Sequence, residues 1–111
     1  LYSDKLTREG FDVIMAITGE EGLGKAQSEK PDLILLDVIL PQKNGFDILS
    51  QLKLNSATKH VPVIMLTNLG QESDIKTGRE LGAIDYLVKT DFSITKLPET
   101  VRKHLVTHQQ K

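Results

Sequence analysis

The sequence predicts an α/β fold: a doubly wound parallel sheet with helices on both faces. Three observations predict it. Short, β-branched apolar segments recur along the chain, stretches with helical spacing separate them, and the apolar segments are near-continuous rather than alternating. Continuous apolar strands imply a sheet buried on both faces. Strand–helix alternation implies parallel strands joined by right-handed crossovers.

The elements follow in order. "LYSDKLTREG" (1–10) reads as the tail of a helix with Leu1, Tyr2 and Leu6 inward and Gly10 as its stop. "FDVIMAI" (11–17) reads as a strand. "TGEEGLGKAQSEK" (18–30) offers Thr18 as N-cap and Glu21 three residues on, a capping box, with Leu23 and Ala26 inward. Gly22 and Gly24 lower its helical propensity. "DLILLD" (32–37) is the second strand, followed by the turn-rich "PQKNG". "GFDILSQLKLN" (45–55) places Phe46, Ile48, Leu49, Leu52 and Leu54 mostly on one helical stripe. "VPVIMLT" (61–67) is a strand, "QESDIKTGRELG" (71–82) a helix with Ile75 and Leu81 inward and Gly82 at C′, and "IDYLV" (84–88) the last strand. "SITKLPETVRKHLVTH" (93–108) carries Ile94, Leu97, Val101 and Leu105 at helical steps. Pro98 fits there if the helix begins near Thr95, because a first turn has no intrahelical N–H bonds to lose. The predicted order is a helix, then strand–helix four times.

Composition narrows the function classes. The 111 residues suffice for one domain. Lys and Arg total 14 against 15 Asp and Glu, which gives no electrostatic reason to expect nucleic acid or an anionic membrane as partner. The chain contains no cysteine, which excludes thiolate chemistry and suits a cytoplasmic location. No apolar run approaches the roughly 20 residues of a membrane helix. His60, His104 and His108 form no ligand set and are expected at the surface, and "HQQK" reads as a frayed tail.

In open parallel sheets, ligands gather at the carboxyl ends of the strands. Asp37, Thr67 and Lys89 stand there, closing the second, third and fourth predicted strands. Adjacent strands lie about 5 Å apart, so the three side chains can converge. A carboxylate, a hydroxyl and an ammonium suit an anionic group attached to the carboxylate. Aspartate serves elsewhere as a nucleophile that forms an acyl phosphate. Each residue also has a plainer role: Asp37 in a turn, Thr67 as strand packing, Lys89 in solvent.

The segment "LILLDVILPQKNGFDIL" resembles the acceptor segment of the response-regulator receiver domain of two-component signalling. Thr67 in "VIMLT" and Lys89 in "DYLVK", 30 and 52 residues after Asp37, match the family's switch hydroxyl and lysine, and Tyr86 matches its aromatic switch position. The resemblance implies a flavodoxin-like, CheY-like sheet of order 2-1-3-4-5 and a signalling switch rather than an enzyme. It implies that Asp37 accepts a phosphoryl group from a histidine kinase or phosphotransfer protein. It also implies Mg²⁺ held by Asp37 and the Ile39 backbone carbonyl, and movement of Thr67 and Tyr86 that alters the face built by residues 71–108. An effector domain or other output partner is implied as well.

The chain departs from the family at its start. The family begins with a central strand that ends in an acidic pair for Mg²⁺, and neither appears here; Asp4, Glu9 and Asp12 lie beyond it. We therefore expect residues 1–111 to be an N-terminally truncated receiver domain with impaired Mg²⁺ binding. The gap is expected to be filled by upstream residues, by a partner chain, or by exchange in a homodimer. Asn68 and Thr90 replace the small residue and the proline usual after the switch Thr and the lysine. Ile39 and Leu69 cannot orient an attacking water, which predicts a long-lived aspartyl phosphate in the intact domain. The alternatives are a receiver-like interaction module that works without phosphate, or an inactive fragment that associates with itself. A phosphohydrolase is disfavoured because position 39, where its general acid belongs, is Ile.

Overall fold

In the computed structural model, which describes residues 2–41 and 43–109, helices flank a three-stranded parallel sheet. The order along the chain is α1 (Tyr2–Arg8), α2 (Gly19–Glu29), β1 (Ile34–Leu36), α3 (Gly45–Leu54), β2 (Val63–Thr67), α4 (Glu72–Glu80), β3 (Asp85–Val88), a 3₁₀ turn (Ile94–Lys96) and α5 (Leu97–Gln109). The expectations placed on Leu1, on the side chain of His108 and on Gln110 and Lys111 lie outside the described residues.

Sequence signals fix the helix ends. Gly10 takes φ +96° after α1, with the Phe11 N–H bonding the Leu6 carbonyl and the Gly10 N–H that of Thr7. This is a Schellman stop, and its hydrophobic partners Leu6 and Phe11 pack in one core. Gly82, at φ +109°, closes α4 with the same pattern. Thr18 caps α2 by accepting the Glu21 N–H at 3.1 Å. Glu21 returns to the Ile17 N–H, one residue before the position a capping box uses. Ser93 caps the 3₁₀ turn, which runs into α5 and leaves Pro98 in the first α-helical turn.

The strands pair in the order β1-β2-β3, with Ile34 opposite Val63 and Thr67 opposite Val88. All of β2 is buried. Its pleat sends Val63 and Met65 toward α2, α3 and α4, where they meet Ala26, Ile48, Leu49, Leu52 and Tyr86. Leu66 points the other way, to Leu6, Leu97 and Val101 of α1 and α5. These two apolar layers are what continuous β-branched strands require. Leu54 falls off the α3 stripe and is 85% exposed, because two residues past Leu52 a helix has turned about 200°, to its opposite face.

The segment 11–17 departs from expectation. It pairs with no strand, and Ile14, Met15 and Ile17 are exposed. A β-branched segment becomes a strand only when a neighbour takes up its backbone N–H and C=O groups. Phe11 and Val13 nonetheless pack on the α1/α5 core, so the segment holds a position at the margin of the sheet. Between it and β1 lies an apolar cavity of about 600 Å³.

Candidate functional site

The parallel sheet brings three strand ends together. Asp37 follows β1, Thr67 ends β2, and Lys89 follows β3 with its N–H on the Thr67 carbonyl at 2.8 Å. Behind Asp37 the chain turns sharply into α3. The Gly45 N–H bonds the Val38 carbonyl at 2.7 Å, and Asn44 caps the helix by accepting the Phe46 N–H. Gly45 permits this approach, since a Cβ there would lie 2.6 Å from the Val38 Cα.

Both oxygens of Asp37 have partners. Lys89 Nζ donates to Oδ2 at 3.0 Å, and the Ile39 N–H donates to Oδ1 at 3.0 Å. The pair is only partly exposed, 28% for Lys89 and 29% for Asp37. Burial pushes the Asp37 carboxyl up. The Ile39 N–H, the Lys89 ammonium and the adjoining Thr67 hydroxyl together outweigh burial and hold it below its ordinary value. Thr67 itself is fully buried and receives the Leu69 N–H at 3.4 Å. Lys89 is therefore paired, and Asp37 makes both this ion pair and a turn bond to the Ile39 N–H.

Tyr86 is buried on β3, and its hydroxyl donates to the Leu69 carbonyl at 2.6 Å. The surface hydroxyl of a plain strand tyrosine is thus not observed. Burial pushes its phenol up, and the carboxylates of Asp74 and Asp37 add to the effect. The ring rests against Gly78 of α4, where a Cβ would lie 2.9 Å from Cδ2. On the solvent side, Ile39 is 61% exposed, and with Leu40, Lys43 and Leu69 it lines a shallow hollow.

Three contacts have no signal in local sequence. The Tyr2 ring lies 5.6 Å from Lys89 Nζ, a cation–π contact made by the packing of α1. His104, expected at the surface, lies 2.9 Å from Asp85 Oδ2, and Arg79 approaches the other oxygen of Asp85 at 3.7 Å.

The residues present do not fit a Mg²⁺ site. Such sites gather several oxygen ligands, usually more than one carboxylate. Among the described residues no group of three acidic or histidine side chains could hold a metal ion. Asp37, with the carbonyl of Ile39 beside it, already shares its oxygens with Lys89 and the Ile39 N–H. Glu9 is committed to Arg102 at 3.2 Å and Lys5 at 3.7 Å.

Residues 1–102 match the family described as response regulator receiver domain. The chain belongs to the response-regulator receiver family. It is 49% identical over 89 residues to the alkaline phosphatase synthesis transcriptional regulatory protein PhoP of Bacillus subtilis, covering 80% of this chain and 36% of PhoP. The receiver thus spans about a third of that relative's length. Among solved structures it resembles a CheY-like receiver domain protein from Methanospirillum hungatei JF-1, with a TM-score of 0.87 and 27% identity, covering 98% of this chain and 85% of that one. It also resembles the Mn²⁺-bound form of the response regulator Rcp1, with a TM-score of 0.74 and 30% identity, covering 92% of this chain and 79% of that one. Receiver domains generally bind Mg²⁺, and against that background the donor set among the described residues is short.

Proposed function

We propose that Asp37 is the phosphoacceptor of a two-component signalling switch. The observation that carries this reading is the Lys89–Asp37 contact at 3.0 Å across the ends of β1 and β3. In the transfer, an Asp37 carboxylate oxygen attacks phosphorus. The new acyl phosphate bond forms as the bond to the donor's imidazole nitrogen, on a histidine kinase or phosphotransfer protein, breaks. Lys89 then exchanges the carboxylate for a phosphoryl oxygen, and the Thr67 hydroxyl donates to another. Tyr86 and the surface of residues 71–108 carry the signal to an output partner or a fused effector domain.

Acetyl phosphate supplied with Mg²⁺ tests the reading. Wild type should gain the mass of one phosphoryl group, slowly because its metal-ligand set is short, and Asp37→Asn should not. Equal gain by the two proteins would overturn it.

A second reading is binding without phosphate. It is favoured by the short metal-ligand set among the described residues. No mass gain, together with partner binding that Asp37→Asn leaves unchanged, would support it over the first.

A further inference from the structure

The turn beneath Asp37 contains the dipeptide Asn44–Gly45, whose chemistry the phosphate reading leaves unused. The amide carbon of an asparagine is open to attack by the backbone nitrogen of the next residue. A following glycine leaves that nitrogen unhindered, because it has no Cβ. The other asparagines are followed by side chains: Asn55 precedes Ser56, and Asn68 precedes Leu69. In the folded turn both reacting groups are occupied. The Gly45 N–H donates to the Val38 carbonyl at 2.7 Å, and Gly45 is buried against the backbone of Asp37 and Val38. The Asn44 Oδ1 accepts the Phe46 N–H at 2.7 Å, which holds the carboxamide on the first turn of α3. Asn44 itself is exposed, so water reaches it as soon as the turn opens.

We propose that Asn44 is a self-modification site that deamidates when the turn beneath Asp37 opens, with the Gly45–Val38 hydrogen bond as its gate. Once that bond breaks, the Gly45 nitrogen gives up its proton and attacks the Asn44 Cγ. The new N–Cγ bond forms as the Cγ–Nδ2 bond breaks, and the proton leaves with the amide as ammonia. One water then opens the cyclic imide at either carbonyl. Opening at Cγ gives aspartate at position 44; opening at the main-chain carbonyl gives isoaspartate. The two products differ in what they do to the site. Aspartate keeps an acceptor for the Phe46 N–H and puts negative charge at the start of α3, where it is favourable. Isoaspartate adds a methylene to the main chain inside a turn whose neighbours are backbone, so Gly45 no longer meets the Val38 carbonyl. Opening of the turn is thereby recorded as a covalent change beside Asp37. The inference stands apart from phosphate acceptance, which none of these steps uses.

The test incubates the full chain in mildly alkaline buffer, folded and in urea, and maps the exchange of NH for O by peptide mass. In strong urea, Asn44 should convert before Asn55 and Asn68. In the folded chain its conversion should be slower by about a hundredfold or more, set by the fraction of time the turn is open. Small additions of urea should speed it with a shallower slope than global unfolding shows. The isoaspartate form, separated by chromatography and identified with an isoaspartyl methyltransferase, should unfold at lower urea than wild type. Asn44→Asp should give no conversion in that peptide and should unfold at the same urea as wild type or higher. Equal rates in the folded and unfolded chain, or a urea slope equal to that of global unfolding, would overturn the gate. Earlier conversion of Asn55 or Asn68 in strong urea, or an isoaspartate form as stable as wild type, would overturn the site.

Discussion

The Tyr86 hydroxyl donates to the Leu69 carbonyl at 2.6 Å and so ties β3 to the loop that leaves Thr67. Because the acceptor is held in a partly buried place, deleting the hydroxyl leaves that carbonyl unmet. Tyr86→Phe should cost about 1–2 kcal/mol in urea unfolding. Gly78→Ala should act on the same contact from the other side. Its Cβ would stand 2.9 Å from the ring, and displacement of the ring should outweigh the gain of alanine in a helix, for a net loss of about 1 kcal/mol. If Tyr86→Phe is as stable as wild type, the hydroxyl bond does not hold in solution.

Asp37 is expected to make stability depend on acid pH. Its folded-state carboxyl lies below the ordinary value of 3.8, so its contribution is full above that value and is lost as pH falls through the folded one. Lys89→Met removes one of the groups that hold the carboxyl down. Carboxyl ¹³C shifts should show the Asp37 midpoint below 3.8 in wild type and higher in the variant. The variant should lose about 1 kcal/mol at neutral pH, and the difference should shrink as Asp37 protonates. An unmoved midpoint would remove Lys89 from the account.

Much of this site was legible because a parallel sheet turns sequence spacing into geometry. Asp37, Thr67 and Lys89 each end an apolar run, and the common polarity of the strands puts those ends on one edge. Two other features were not legible, because they depend on residues distant in sequence. Residues 11–17 have strand composition, but a strand is made by its neighbour, and no neighbour is encoded in the periodicity of the segment itself. His104 and Asp85 are joined only by the docking of α5 on β3, and a histidine on a helix carries no mark of which carboxylate it will meet. Leu54 is exposed for a local reason, since two residues past Leu52 the helix has turned it to the opposite face.

The rim of the site predicts how long a phosphoryl group on Asp37 lasts. Hydrolysis needs a water aimed in line at phosphorus, and the apolar side chains of Ile39 and Leu69 offer no hydrogen bond to hold one. Once formed, the acyl phosphate should persist for minutes or longer by intact-mass time course. Ile39→Asn, which supplies an amide at a position already 61% exposed, should shorten the lifetime about tenfold, equivalent to about 1.4 kcal/mol off the barrier. Decay within seconds in wild type would contradict the assignment of the rim.

Gly45 is the position least able to accept a side chain. It begins α3 directly beneath Asp37, its N–H bonds the Val38 carbonyl at 2.7 Å, and an added Cβ would overlap the Asp37 carbonyl and approach the Val38 Cα to 2.6 Å. These neighbours are backbone, so they cannot swing aside as a side-chain tip would. Gly45→Ala should therefore cost about 3 kcal/mol in urea unfolding, despite the better helical propensity of alanine. It should also lengthen the Lys89–Asp37 contact by pushing the turn outward, which raises the Asp37 carboxyl midpoint. Gly24→Ala is the control: its added Cβ meets nothing within 4 Å, so the same substitution in α2 should be neutral or stabilising. If the two variants unfold at the same urea concentration, the turn after Asp37 is looser than the structure describes.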